Sequence, residues 1–289
     1  MDELNLQLCQ ELRNRNIQPV VALANPIPDE IRARWESIDV PVRILTYRRR
    51  WSFFWSLRRV LKEFSIDTVH IRFYRYYQLV SWLVRINGVR RIILTDAESG
   101  QAAATGLKRL LKRLRTNVAT APNVRMIAIS EFVKKRLIES GVSEQKISVA
   151  YNGVDLTRFT PTADGRQLLE SQFGFSQEEL LLTTISRLTE VKRVDVLLRA
   201  CAILHDQAIK MRLLIAGQGG PLREKLLDLT TELGIADRVT WIGQTPEPEF
   251  FLRGSDLFLL ATEGEGFGNV LVEAMACGTP VVGSRSGAI

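Results

Sequence analysis

The sequence predicts an α/β protein made of two doubly wound domains. Short apolar, β-branched runs alternate with amphipathic stretches of helical length along most of the chain. This alternation is typical of parallel sheets covered by helices on both faces. A length of 289 residues suits two domains with separate cores. The polar, turn-rich stretch 152–178 interrupts the alternation. We therefore predict an N-terminal domain over residues 1–164 and a C-terminal domain over residues 165–289.

The individual elements follow from the same pattern. Strands are predicted at 20–24, 42–45, 68–71, 91–94, 125–129, 147–150, 180–185, 211–216, 239–242, 257–260 and 280–283, and helices include 131–139, 195–205, 222–233 and 269–276. The chain opens in an amphipathic helix with Leu4, Leu8 and Leu12 on one face, and it stops directly after a strand. A doubly wound sheet normally has its first strand in the middle. We therefore expect a fragment that lacks the first strand and the final helices; a compact variant of the fold is the alternative.

The composition of the chain argues against several classes of protein. Hydrophobic residues make up 46% and charged residues 25% of the chain, which argues against disorder. No stretch approaches the roughly 20 apolar residues of a transmembrane helix, and the first thirty residues have no signal-peptide pattern. The three cysteines, Cys9, Cys201 and Cys277, are too far apart for a disulfide framework or a zinc cluster. We expect a cytoplasmic protein.

Charge is distributed unevenly along the chain. Residues 1–160 hold 27 Lys and Arg against 15 Asp and Glu, whereas the remainder holds 12 against 17. The basic segments 47–64 and 107–115 concentrate the positive charge, and the first interleaves aromatic residues with arginines. This pattern favours an amphipathic surface helix whose aromatics pack on its own sheet. The alternative is a helix lying on an anionic membrane surface. Nucleic-acid binding is not favoured, because no recognised binding motif accompanies the charge.

Two strand-to-helix connections in the second half carry candidate ligand groups. Strand 180–185 leads into Arg187 and Lys192, which are well placed for an anionic group at a strand end. Strand 211–216 leads into Gly217 and Gly219, which allow backbone N–H groups to approach a ligand. The alternatives are solvated cations for the first connection and a plain tight turn for the second.

The third connection is more specific. Strand 257–260 is followed by a loop with Glu265, Gly266 and Gly268, and Glu273 lies about one turn into the next helix. The helix N-terminus suits a phosphate group. The two carboxylates can accept hydrogen bonds from sugar hydroxyls. The alternative is a helix N-terminus that merely favours acidic residues.

These motifs resemble a known family. The segments EGFGNVLVEAMACGTPVV and ISRLTEVKRVDVLLRA are similar to those of the retaining nucleotide-sugar glycosyltransferases of family 4. Weaker agreement lies in DTVHI, IAISEFVKKRL and YNGVDLTRFTP. The resemblance implies the GT-B fold, in which two Rossmann-like domains face each other across a cleft.

The resemblance also implies roles for individual residues. It implies that Arg187 and Lys192 bind the donor diphosphate, that Glu265 holds the donor sugar, and that Glu273 binds the nucleotide ribose. Arg187, Lys192 and Glu265 are the implied catalytic residues. The remaining implied donor contacts are Phe267, Gly268 and Asn269, through backbone N–H groups, and Gly217 and Gly219, through the turn beside the nucleotide.

The chain departs from the family pattern on the acceptor side. It has no counterpart of the glycine-rich loop that usually follows the first strand. Where many members have a histidine near the sugar, this chain has Asp96 and Glu98 in the segment 96–99. Either carboxylate is a candidate for orienting the acceptor, and a strand-end cap is the alternative role.

The expected reaction transfers a hexose from a nucleoside diphosphate sugar to a hydroxyl group, with retention of configuration. No metal or other cofactor is expected, because the chain has no D-x-D pair. The expected partners are the nucleotide sugar and a saccharide or lipid-linked acceptor in polysaccharide or glycolipid synthesis, with peripheral contact to an anionic membrane. The alternatives are a non-catalytic nucleotide-sugar-binding remnant and another GT-B enzyme such as an epimerase.

Overall fold

The chain forms two compact α/β units. The computed structural model describes residues 2–23, 29–45, 50–72, 77–96 and 122–289. Among them, the first unit holds the residues up to Asp96 together with 122–128 and 134–149, and the second holds 129–133 and 150–289. The domain boundary predicted after residue 164 stays a prediction.

The first unit contains two separate parallel sheets. Its elements are α1 (Asp2–Asn14), β1 (Val21–Leu23), α2 (Asp29–Glu36), β2 (Val42–Ile44), α3 (Arg50–Glu63), β3 (Thr68–Arg72), α4 (Tyr77–Ile86), β4 (Arg91–Asp96), β5 (Val124–Ala128), the part of α5 (Glu131–Glu139) from Lys134 onward, and β6 (Ile147–Val149). Strands β1 and β2 pair with each other, and the other four run in the order β3-β4-β5-β6. Within the described ranges no strand pairing joins the two sheets. The larger sheet is centred on β4 and β5, where Ile92, Leu94 and Met126 are fully buried.

The second unit is built on one five-stranded parallel sheet. Its elements are α6 (Gly165–Phe173), β7 (Leu180–Ile185), α7 (Val194–Asp206), β8 (Met211–Ala216), α8 (Pro221–Glu232), β9 (Val239–Gly243), α9 (Pro248–Gly254), β10 (Leu257–Leu260), α10 (Asn269–Ala276) and β11 (Val281–Gly283). The strand order is β11-β10-β7-β8-β9. From β7 the chain adds β8 and β9 on one side and then β10 and β11 on the other. The winding direction therefore reverses between β7 and β10.

The central strands of this sheet are buried on both faces. Leu182 and Leu213 pack into a cluster with α7 and α8, whereas Leu181 and Leu214 pack into a cluster with Leu169 of α6 and with α9. Successive side chains of a strand point to opposite faces, so these two clusters cover the two sides of the sheet. The continuously apolar runs of β7 and β8 are the pattern expected of such strands.

Most of the predicted elements are confirmed. All eleven predicted strands are present, with ends that shift by at most two residues. The interpretation of 152–178 as turns and polar residues is wrong in part, because α6 lies within it. That helix has few apolar residues, yet Leu169 is fully buried, and Gly174 ends the helix in the left-handed conformation. Gly165 approaches α9 so closely that an added Cβ would lie 2.8 Å from the Arg253 carbonyl oxygen.

The predicted basic helix is described from Arg50 onward as α3; residues 46–49 and the basic segment 107–115 lie outside the described residues. In the part of the chain that the structure describes, no helix is long and apolar enough to cross a membrane.

Candidate functional site

The strand order of the second unit locates the candidate site. Ligands of open α/β sheets bind at the carboxyl ends of the strands where the winding direction reverses. Here that point lies between β7 and β10, which are hydrogen-bonded neighbours, with Phe258 opposite Thr183. The connections after β10, β7 and β8 therefore lie side by side. They carry all the sequence-predicted donor groups except Asn269 and Glu273, which lie in the helix that follows β10.

The connection after β7 presents two cations in different ways. Arg187 is exposed, and its side chain has no hydrogen-bond or ion-pair partner among the described residues. Lys192 ends a single 3₁₀ turn, Glu190–Lys192, and its side chain is only 19% exposed. One cation is thus open to solvent, and the other is packed into the site.

The glycine turn after β8 fits tightly against the connection after β7. A Cβ added to Gly217 would lie 1.9 Å from the Ser186 carbonyl oxygen, and one added to Gly219 would lie 2.4 Å from Cβ of Leu188. The Leu188 N–H also donates to the Gln218 carbonyl (3.2 Å). The chain's own packing therefore requires both glycines. A role for them beside the nucleotide stays a prediction.

The connection after β10 is joined to the 3₁₀ turn by main-chain and ionic contacts. The Glu263 N–H donates to the Val191 carbonyl (2.8 Å). The Lys192 ammonium forms an ion pair with the Glu265 carboxylate, whose side chain is 16% exposed. The two residues that the sequence assigned to diphosphate and sugar are therefore paired with each other.

Arg193 is a residue that the sequence reasoning missed. It adopts a left-handed backbone conformation (φ 40°) between the 3₁₀ turn and α7. Its guanidinium binds both carboxylate oxygens of Asp195 (3.1 Å each) and also the carboxylate of Glu263 (2.5 Å). Arg193 therefore fixes the start of α7 to the connection after β10. The left-handed conformation has no signal in the sequence, because arginine rarely adopts it.

The last residues of the chain hold the same connection from the other side. The Ser286 hydroxyl accepts from the Gly264 N–H (2.7 Å), and the Ser284 hydroxyl accepts from the Thr262 N–H (3.0 Å). Gly287 lies so close to Glu265 that an added Cβ would be 2.2 Å from the Glu265 carbonyl oxygen. The sequence reasoning missed these residues as well. Two serines and a glycine following a strand were the available signal.

Helix α10 begins with free backbone donors. Its N-cap is Gly268 in the left-handed conformation (φ 80°), and no described side chain caps the helix. The first N–H groups of a helix carry a partial positive charge, so this N-terminus is suited to a phosphate. The Glu273 carboxyl lies about one turn further on. Burial raises its pKa, and the nearby positive charge of Arg158 offsets only part of that rise.

The segment that opens the second unit contacts this loop. The Tyr151 ring lies 6.0 Å from the Phe267 ring, centroid to centroid, and the Asn152 amide donates to the Asn269 side-chain oxygen (2.9 Å). The side chains of Phe267 and Asn269 are therefore partnered within the protein. Their predicted donor contacts are through the backbone, which these interactions leave unchanged.

The acceptor-side candidates are only partly described. Asp96 is half-buried at the end of β4 in the first unit, next to Thr95, whose hydroxyl is hydrogen-bonded to His70 (2.6 Å). Glu98 lies outside the described residues. Within the described ranges, no three His, Cys, Asp or Glu side chains cluster as metal ligands.

The basic helix α3 turns its aromatic residues in two directions. Phe53 and Leu57 are buried, whereas Trp55 is 60% exposed and has the Arg58 guanidinium 5.8 Å from its ring centroid. Packing against the protein thus accounts for Phe53, and Trp55 remains available on the surface.

Two family sequence models match almost the whole chain. Residues 4–158 match the sequence model of Glycosyltransferase Family 4, and residues 166–289 match that of Glycosyl transferases group 1. The D-inositol 3-phosphate glycosyltransferase of Rhodococcus opacus (strain B4) is 31% identical over 210 residues, which is 70% of this chain and 45% of that protein. The N-acetyl-alpha-D-glucosaminyl L-malate synthase of Bacillus anthracis is 31% identical over 236 residues, which is 81% of this chain and 60% of that protein. The chain thus spans about half the length of these relatives.

A solved structure shares the fold. Anabaena HepE in complex with UDP and glucose superposes with a TM-score of 0.83 at 20% identity, covering 99% of this chain and 77% of that one. This likeness confirms the predicted GT-B type of α/β fold. One family model accounts for more than half of the chain and the other for nearly all of the rest. The chain belongs to glycosyltransferase family 4.

Proposed function

We propose that the chain transfers a hexose from a nucleoside diphosphate sugar to a hydroxyl acceptor, with retention of configuration. One observation carries the proposal: the reversal point between β7 and β10 brings together cations, carboxylates and an uncapped helix N-terminus. This combination matches the two chemical parts of a nucleotide sugar, an anionic diphosphate and neutral polyols. The bound UDP and glucose of HepE make UDP-glucose the first donor to test.

The donor is proposed to bind along the edge formed by these connections. Arg187, Lys192 and the N–H groups at the start of α10 bind the diphosphate, because all of them carry positive charge. Glu265 accepts hydrogen bonds from the sugar and Glu273 from the ribose. Gly217 and Gly219 place the turn after β8 beside the nucleotide.

In the proposed reaction the bond between the sugar C1 and the diphosphate oxygen breaks, and a bond from C1 to the acceptor oxygen forms on the same face. The departing phosphate oxygen takes the proton of the acceptor hydroxyl, so atoms and charge balance. Arg187, Lys192 and the helix N-terminus stabilise the negative charge that grows on the diphosphate. Such fixed charges can take the place of a metal ion, and we propose that none is needed.

The acceptor is proposed to be a saccharide or a lipid-linked sugar in polysaccharide or glycolipid synthesis. Asp96 and Glu98 are the proposed groups for orienting its hydroxyl.

The exposed Trp55 and the neighbouring basic residues of α3 are proposed to touch the anionic inner surface of a cytoplasmic membrane. Binding to anionic vesicles that disappears at high salt and in Trp55→Ala with Arg59→Ala tests this contact. Equal binding to neutral vesicles contradicts it.

Titration calorimetry on the full chain tests the donor site. We expect UDP or GDP to bind to the wild type, and Glu273→Ala to remove that binding. Glu247→Ala changes an exposed glutamate in the same unit and serves as the control. EDTA is expected to leave binding unchanged. A folded chain that binds neither nucleotide overturns the proposal in favour of a non-catalytic remnant.

A second assay separates transfer from the alternative activities. The chain is incubated with the nucleotide sugar that binds, with and without sugar acceptors, and the products are separated by chromatography. Release of nucleoside diphosphate together with an α-linked product from an α-linked donor supports the retaining transferase. Conversion of the donor to its epimer, without release of nucleotide, supports the epimerase alternative.

A further inference from the structure

The ion pair between Lys192 and Glu265 occupies the centre of the candidate donor site. The Lys192 ammonium contacts the Glu265 carboxylate directly, and the two side chains are 19% and 16% exposed. An exposed ion pair contributes little because water replaces either partner easily. Here little water reaches the pair. Each charged group is therefore destabilised if its partner moves away and no other group takes its place.

The surroundings of the pair keep its two residues close together. The main-chain hydrogen bond from Glu263 to Val191 joins the two connections beside the pair. Arg193 bonds Asp195 and Glu263 and joins them a second time. The backbone on both sides of the pair is therefore held by contacts other than the pair itself.

Arg187, the other residue predicted to bind the diphosphate, is not paired with a carboxylate among the described residues. Arg187 is exposed and unpaired among the residues that the structure describes. A diphosphate that enters the site can bind Arg187 at once. At Lys192 it has to compete with the Glu265 carboxylate, which already holds the ammonium in an ion pair.

From this difference we infer that Glu265 makes the site discriminate between a nucleoside diphosphate sugar and the free nucleoside diphosphate. The inference rests on the proposed donor function. When the sugar is present, its hydroxyls donate to Glu265 and replace Lys192, which is then free for the phosphate. When the sugar is absent, Glu265 keeps competing for Lys192, or is left as a shielded carboxylate without a partner. The product of sugar transfer is therefore held less tightly than the substrate, and its release is favoured.

Calorimetry on the full chain with Glu265→Gln tests the inference. Glutamine has the same shape, cannot form the ion pair and still accepts one hydrogen bond. We measure the Kd values of UDP and UDP-glucose, and those of GDP and GDP-mannose, for the wild type and the variant. We expect the nucleoside diphosphate to bind roughly fivefold more tightly to the variant, while the nucleotide sugar gains nothing or weakens. The preference for the nucleotide sugar then falls by about fivefold or more.

Glu263→Gln is the matched control. Glu263 lies in the same connection and is also paired with a cation, Arg193, but its side chain is 65% exposed. We expect its Kd values to stay within about twofold of the wild type. Glu265→Asp is measured in parallel, because it keeps the charge and withdraws it by one methylene. It is expected to shift the preference in the same direction by less.

The outcomes separate this inference from the donor assignment. Wild-type binding of nucleotides, combined with Glu265→Gln changing the nucleoside diphosphate and the nucleotide sugar by the same factor, overturns the inference alone. Weaker binding of the nucleoside diphosphate to both Glu265 variants also overturns it. A folded wild type that binds none of the four ligands overturns the proposed function and this inference together.

Discussion

The sheets of the two units differ in how completely their strands are supported. In the second unit β7 and β8 are six residues long, pair with neighbours on both sides and are buried on both faces. In the first unit β1 and β2 are three residues long and pair only with each other within the described residues. The contrast indicates that the second unit has a core able to hold strained loops in place. It is also the unit that holds the candidate donor residues.

The contrast is tested most strongly by truncating one apolar side chain in each sheet. Leu214 lies in the middle of β8 and is fully buried, so Leu214→Ala should destabilise the second unit by about 3–4 kcal/mol. Val21 of β1 is only half-buried, so Val21→Ala should cost about 1 kcal/mol or less. Urea denaturation gives the magnitudes, and hydrogen exchange detected by mass spectrometry shows where each change acts. Equal losses in the two variants would contradict the difference between the sheets.

Close packing between the connections after β7 and β8 gives the next largest expected loss of stability. Gly217→Ala places a Cβ into the Ser186 carbonyl, and relieving that overlap should cost about 2 kcal/mol. Gly153 is exposed, has no positive φ and has nothing within 4 Å of its missing Cβ. We expect Gly153→Ala to be nearly neutral. Thermal unfolding of both variants measures the difference, and nucleotide binding is followed in parallel.

Some features of the fold and of the candidate site could be predicted from the sequence alone. The strands were predictable because their apolar runs are long and their flanking residues are turn-formers. The spacing from Glu265 to Glu273 and the glycines between them pointed to a candidate donor loop, and its role in donor binding stays a prediction. Strand neighbours were not visible in the sequence, so the approach of the β7 and β10 connections depended on an assumed sheet order.

The sequence could not reveal which charged groups pair with one another. Lys192 and Glu265 are 73 residues apart, and their contact depends on how two loops dock. The left-handed conformation of Arg193 and the support from Ser284 and Ser286 come from tertiary contacts of the same kind. Helix α6 was missed because burial of Leu169 stabilises it more than its own composition does.

Glu273 lies in the candidate site, and its buried carboxylate is expected to lower the stability of the second unit. Burial raises the pKa of its carboxyl, so the folded chain holds this proton more tightly than the unfolded chain does. The ionised carboxylate therefore costs stability at neutral pH, and that cost disappears as the pH falls through the raised pKa. Glu273→Gln should raise the Tm at pH 7 by about 1–3 °C and weaken nucleotide binding by roughly tenfold or more.

The pH dependence provides the control for this variant. At a pH below the ordinary carboxyl range the wild-type Glu273 is protonated, so the Tm values of the two proteins should converge. A Tm for Glu273→Gln that is lower than the wild type at pH 7 would show that the carboxylate stabilises the fold. The proposed conflict between ribose binding and stability would then be wrong.

The smallest expected effect concerns the turn where the chain enters the second unit. The Asp155 carboxylate accepts from the Thr157 hydroxyl (2.6 Å) and from the Thr157 and Arg158 N–H groups (2.9 and 3.2 Å). These hydrogen bonds, that of the Thr157 hydroxyl first, lower the pKa of Asp155. A lowered pKa adds stability that is present above the unfolded pKa, near pH 4, and is lost as the pH falls through the folded value.

Asp155→Asn keeps one acceptor oxygen and removes only the charge. The Tm should fall by less than about 2 °C at pH 7 and match the wild type near pH 2. Asp164→Asn, at a side chain that makes no capping hydrogen bond, should change the Tm at neither pH. A deficit of Asp155→Asn that is as large at pH 2 as at pH 7 would show that the charge contributes nothing, and that the turn depends on the neutral hydrogen bonds alone.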